Sequence, residues 1–213
     1  MKIFVSYSAL DKKIASQIKK LLKKYGLNVF LAHDDIEPSE EWIERILIEL
    51  KSCDVFIPLL TEHFDESNWT DQETGFVLAR DIPIIPLKLS VDPHGFISKF
   101  QALKIDLRNL EVAIEKLTKT IASKPKLKKV FRDALIKKFG NSDTFQEAKE
   151  NTQLLLSFNG YSTSQIEKII KYAIENYQIH GSFAAKRELK YFVNRQKNSI
   201  DQRLLDDFHF AVK

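Results

Sequence analysis

A single cysteine, Cys53, stands among 213 residues, so no intrachain disulfide can form, which agrees with a reducing compartment. Cys53 precedes an apolar segment, a place for inert packing more than for nucleophilic catalysis. No apolar run approaches the roughly 20 residues needed to span a bilayer. The five histidines, His33, His63, His94, His180 and His209, are scattered without the paired spacing of a zinc site, and no metal is expected. A dinucleotide-binding glycine fingerprint and a Walker loop are both missing. The amino terminus, Met1-Lys2-Ile3-Phe4-Val5-Ser6-Tyr7, lacks the basic stretch, apolar core and cleavage site of a secretory signal, so the expectation is a cytoplasmic protein with no membrane partner.

What is present suits a folded chain of one or two domains. Hydrophobic residues make up 44% of the sequence, enough for a real core. Charge is shared unevenly. Residues 1–123 carry 16 basic and 19 acidic side chains, and residues 124–213 carry 17 and 10. That asymmetry points to two modules, 1–123 and 124–213, joined near Lys124-Pro125-Lys126. A basic rear module could touch nucleic acid, but no reading motif accompanies the charge, so a solvated basic face is the expectation.

The first module alternates short apolar runs with amphipathic stretches. Ile3-Phe4-Val5, Leu27–Leu31, Val55–Leu60, Ile82–Leu87 and a short 104–107 segment read as strands, the two prolines of the fourth, Pro83 and Pro86, suggesting strand ends or an edge. Between them lie helices carrying Ile14, Ile18, Leu21 and Leu22 with Gly26 as the stop, then Trp42 to Leu50, then Trp69 to Val77, and finally about 110–121. Pro38 suits the first turn of the second helix and Ser39 its cap, after a polar loop from His33. Continuous apolar strands alternating with helices predict an α/β fold, a flavodoxin-like five-stranded parallel sheet covered on both faces. The second module predicts an all-α unit, with helices near 127–139, 143–158, 163–177, 183–195 and 200–210. Ser162 to Gln165 has capping-box spacing.

Trp69 and Glu73 are four residues apart, on one face of a helix with Phe76 and Val77, while Asp71 and Gln72 point away. A carboxylate in line with a tryptophan suits a site that holds a flat ring and does chemistry beside it. The plain alternative has Trp69 in the core and Glu73 favouring the positive end of its helix. In a doubly wound sheet, ligands bind beyond the carboxyl ends of the strands. Three loops would meet there: Ser6-Tyr7-Ser8 with Asp11, the 34–39 loop, and the segment from Thr61 to Glu73. Ser6 equally suits a buried backbone-bonded residue, Asp11 suits a helix cap, and Trp42 suits the core.

In order and spacing these segments resemble the Toll/interleukin-receptor (TIR) domain over about residues 1–122. Phe4-Val5-Ser6-Tyr7-Ser8-x-x-Asp11 is similar to its first box. Gly26-Leu27-x-Val29-Phe30, followed by Asp35-Ile36-Glu37-Pro38-Ser39-x-x-Trp42, is similar to its second strand and the BB loop. Ser67-x-Trp69-x-x-x-Glu73 looks like the segment bearing the catalytic glutamate of NAD-consuming members, and Ile84-Ile85-Pro86 also fits. Ser39 stands where glycine often follows the BB-loop proline, and Thr70 where cysteine often follows the tryptophan. The Phe-Trp box of animal receptors is absent, which resembles the prokaryotic type.

The resemblance implies cleavage of the nicotinamide–ribose bond of NAD⁺, a substrate here and not a held cofactor. Glu73 would be catalytic, with Trp69, Ser8, Asp35 and Glu37 binding substrate. The products would be nicotinamide with ADP-ribose or a cyclic isomer. The implied setting is Thoeris-type antiphage signalling, in which the nucleotide product reaches a downstream effector, with homo-oligomerisation through TIR domains. The competing reading is a non-catalytic scaffold acting by TIR–TIR association. A phosphoacceptor receiver on the same fold needs an acidic pair after the first strand and an aspartate ending the third; Ser6-Tyr7-Ser8 and Leu59-Leu60-Thr61 stand there instead.

Overall fold

The computed structural model describes residues 1–35, 42–64 and 66–213. The chain divides into two compact units, Met1–Lys128 and Lys129–Lys213, where the sequence places the division at 123/124.

The first unit opens with β1 (Lys2–Ser6), α1 (Lys12–Lys23), β2 (Asn28–Phe30), α2 (Ala32–Asp35), α3 (Trp42–Ser52) and β3 (Val55–Leu60). It continues with α4 (Asn68–Ala79), β4 (Leu87–Lys88), β5 (Leu103–Lys104) and α5 (Leu110–Ser123). The five strands form one parallel sheet in the order β2-β1-β3-β4-β5, the flavodoxin-like arrangement expected from the alternation of strand and helix. Every residue of β3 is buried, as a central parallel strand covered on both faces requires. Its register with β1 pairs Ile3 with Val55 and Ser6 with Pro58. Gly26 takes φ +73° after α1, a left-handed conformation that glycine adopts without a Cβ clash.

Two expectations change. The polar loop expected from His33 begins instead as the four-residue helix α2; Pro38 and Ser39 lie outside the described residues. The expected fourth strand, Ile82–Leu87, is reduced to an isolated bridge between Phe56 and Ile84 and the two-residue β4. The cause lies in β3. Phe56 donates its N–H to Pro83 O, and Leu60 O accepts from Leu89 N–H, so residues 56, 58 and 60 turn their backbone groups toward β4. Pro58 has no N–H to offer, and the ladder breaks beside it.

One cluster of the first-unit core gathers Phe4, Phe30, Leu50, Phe56, Leu60, Phe64 and Val77, with Trp42 packed partly against it. Phe4 stacks on Phe56 at 5.7 Å between ring centroids.

The second unit contains α6 (Lys128–Gly140, whose first residue belongs to the first unit), α7 (Phe145–Leu156), α8 (Thr163–Glu175), α9 (Tyr177–His180), α10 (Phe183–Gln196) and α11 (Gln202–Ala211). Five of these follow the expected helices closely, and α9 is an additional turn lying almost wholly between the expected third and fourth helices. Ser162 and Gln165 form the reciprocal capping box. Among the described residues no helix is long and apolar enough to cross a membrane.

Phe56 has no exposed surface and packs within the core cluster against the ring of Phe4. Phe56→Ala should therefore cost about 3–5 kcal/mol, read as a lower urea midpoint with an unchanged slope.

Candidate functional site

The carboxyl ends of β1 and β3 and the start of α4 meet at one rim, held by two buried hydrogen bonds. Ser6, the last residue of β1, donates its hydroxyl to Glu73 Oε2 at 2.6 Å. Thr61, directly after β3, donates to Asp11 Oδ2 at 2.5 Å. The first joins a strand end to α4; the second joins the loops that follow β1 and β3. Both exceed what sequence spacing can reveal, since the partners are 67 and 50 residues apart.

Glu73 faces inward because α4 buries the stripe Thr70, Glu73, Thr74 and Val77, the i, i+3, i+4, i+7 pattern of a helix lying on a sheet. Only 6% of Glu73 is exposed. Burial penalises its charged form and lifts its pKa from 4.5 to about 7, while the Ser6 hydrogen bond pulls in the opposite direction. Desolvation is the larger effect, so the carboxyl is poised near neutrality.

Trp69, one turn earlier, is 36% exposed and stands at the edge of that stripe, not in the core. Its ring meets Trp42 edge-on, with centroids 4.7 Å apart and planes at 83°, an arrangement that aromatic quadrupoles favour. Trp42 itself is half-buried against the core cluster. The start of α4 is held by Thr70, whose hydroxyl donates to Phe64 O at 2.8 Å and to Ser67 O at 2.6 Å.

The remaining expected residues are distributed as follows. Ser8 is buried on the same rim, at the head of a short 3-10 turn, where its side chain makes no capping bond. Asp35 ends α2 with both carboxylate oxygens engaged: Oδ1 by the Lys19 ammonium, Oδ2 by the Leu31 N–H at 2.7 Å. Glu37 lies outside the described residues. Asp11 takes the position before α1 but makes no side-chain cap; its carboxylate is used by Thr61 instead. Ser6 is buried as expected in one of its two readings, yet its partner is a side chain and not the backbone. The sequence places Ser6 and Thr61 on the rim loops after β1 and β3 but gives no sign of their pairing with Glu73 and Asp11.

Cys53 lies before the amino end of β3, at the opposite end of that strand from the rim. Its thiol donates to Leu50 O at 3.4 Å, and burial pushes its pKa up to about 11, which leaves almost no thiolate at neutral pH. Among the described residues no group of three or more His, Cys, Asp or Glu could hold a metal ion.

A group with a raised carboxyl pKa leaves a signature in stability. Folded Glu73 keeps its proton up to about pH 7, whereas an unfolded chain releases it near 4.5. The folded state therefore binds the extra proton between these values, and its stability falls as pH rises through that window. At about 1.4 kcal/mol per pH unit the loss is on the order of 3 kcal/mol. Glu73→Gln should melt at a higher temperature than the parent at pH 8 and nearly together with it at pH 4.5; equal differences at both values would contradict the buried, neutral carboxyl.

The TIR-domain family profile matches residues 3–118. No curated protein matches the chain. Among solved structures, the TIR domain of the Toll-related receptor TRR-2 from Hydra magnipapillata is similar at 17% identity, with a TM-score of 0.42, over 62% of this chain and 96% of that one. The family match spans more than half of the sequence and coincides with the parallel sheet and its rim: the chain belongs to the TIR-domain family.

Proposed function

We propose that the TIR unit cleaves the nicotinamide–ribose bond of NAD⁺, with Glu73 as the catalytic carboxylate. The observation that carries the proposal is the Glu73 carboxyl itself: buried at the strand-end rim, bonded by Ser6 at 2.6 Å and shifted to about 7. Carboxyl groups moved into this range by desolvation are characteristic of chemical sites.

The chemistry needs only one such group. Nicotinamide in NAD⁺ is already cationic and leaves as a neutral ring without a general acid, unlike the sugar leaving groups that make glycosidases use two carboxylates. Departure develops positive charge on the ribose. An ionised Glu73 in a poorly hydrated setting stabilises that charge far better than it would in water. The half-exposed Trp69, braced edge-on by Trp42, offers a ring face one helical turn away. Ser8 lies on the same rim as a hydroxyl for the ribose or phosphates. In this proposal Asp35 acts by holding the chain after β2, through Lys19 and Leu31, and Glu37, outside the described residues, supplies a further carboxylate. Water capture gives ADP-ribose; capture by another atom of the same nucleotide gives a cyclic isomer. The setting, a prokaryotic signal producer in antiphage immunity whose product reaches an effector, rests on the sequence resemblance alone.

Self-association is part of the proposal. Leu10, on the turn after β1, is 73% exposed and Phe96 is 84% exposed, and large apolar side chains left in water favour contact with a second surface. Activity per molecule should then rise with protein concentration, and Leu10→Glu should flatten that rise; full activity in a chain monomeric at every concentration would contradict it.

Concentrated protein incubated with NAD⁺ should release nicotinamide, measured by chromatography, and Glu73→Gln should lower the rate by about 100-fold or more. Because the ionised carboxylate is the active form, kcat/KM should rise with pH and level off above about 7. Ser6→Ala removes the bond that favours ionisation, so its profile should move to higher pH. No nicotinamide from assembled protein would leave the association scaffold as the reading; unchanged turnover in Glu73→Gln would remove Glu73 from it.

A further inference from the structure

The second unit carries a cleft of about 370 Å³ between the end of α7 and one face of α10. We infer that this cleft binds a nucleoside diphosphate through Arg187, Tyr191 and Arg195.

These three residues are spaced four apart on α10, so they form one exposed stripe, with a guanidinium one turn, about 6 Å along the axis, to either side of the tyrosine. The Arg195 guanidinium lies 5.8 Å from the Tyr191 ring centroid. Among the described residues neither arginine has a carboxylate partner. Two unneutralised guanidinium groups lining one cleft with an aromatic ring give the chemistry that holds a diphosphate, through paired N–H donors. The ring supplies a stacking face for a base.

The opposite wall is built and not merely exposed. Phe158 meets Phe131 edge-on at 5.0 Å, and on the α10 side Phe192 meets Tyr161 edge-on at 6.4 Å. The Asn159 carbonyl is clamped by Arg132, at 2.9 Å from Nε and 2.6 Å from one terminal nitrogen. Gly160 follows at φ +76°, and a Cβ there would stand 3.2 Å from that same guanidinium, so the turn that presents Asn159 is fixed around Arg132. Glu188 also lines the cleft and accepts a hydrogen bond from Gln153 at 3.4 Å. Its carboxylate repels a bare phosphate but accepts from ribose hydroxyls or a base amino group. A volume of this size, with aromatic walls and a few placed polar groups, fits a small molecule and not a protein segment.

The test is a titration of the ¹⁵N-labelled full chain with ADP, followed by backbone NMR. Saturable shifts are expected at residues 156–159 and 187–196, with half-saturation below about 1 mM. Arg187→Gln combined with Arg195→Gln should weaken them about tenfold or more, and Tyr191→Leu should weaken them independently, with the rest of each spectrum reporting an intact fold. Inorganic phosphate at the same concentration should shift these residues far less. Absence of shifts in these segments, equal affinity in the variants, or an equal response to phosphate would overturn the assignment. Any response around Glu73 appears at separate resonances, so the outcome is independent of the proposed NAD⁺ cleavage.

Discussion

The hydrogen bond from Ser6 to Glu73 joins the end of β1 to the middle of α4, 67 residues on, and the rim is organised around it. It can form only because α4 packs a carboxylate against the sheet where an apolar residue would serve stability better. Burying that group costs the molecule when it ionises, and a single hydroxyl donor offsets only part of the cost, as the net upward shift to about 7 records. The parallel Asp11–Thr61 bond secures the neighbouring loops. The result is a carboxyl that is protonated and charged in comparable amounts near neutral pH, the balance general acid–base chemistry favours.

Much of the architecture is legible in local pattern. The continuous apolar run of β3 states a strand buried on both faces, and the lysine-backed stripe of α1 states its inner face. Local pattern fails where the cause is non-local. The fourth strand shrinks because Pro58, one strand away, lacks the N–H that would extend the ladder, which only pairing and register reveal. The four residues of α2 are too few to show a helical period. Asp11 has the identity and position of a helix cap, yet Thr61 claims its carboxylate.

The candidate site divides in the same way. The four-residue spacing of Trp69 and Glu73 is visible because both lie on one helix. Its meaning changes with burial: Glu73 faces the sheet while Trp69 stands at the edge, braced by Trp42. The role of Ser6 depends on a strand and a helix meeting in space and has no local trace. In the second unit the helices follow their apolar stripes and caps closely, but the cleft beside Tyr191 depends on Arg132 reaching the carbonyl of Asn159, 27 residues away.

Glu73 is a buried carboxyl held near neutrality. Its side-chain carboxyl ¹³C resonance, identified by its disappearance in Glu73→Gln, can be followed directly against pH in glutamate-labelled protein. A midpoint near 7 is predicted. A midpoint near 4.5, the value of an ordinary solvated glutamate, would contradict the account.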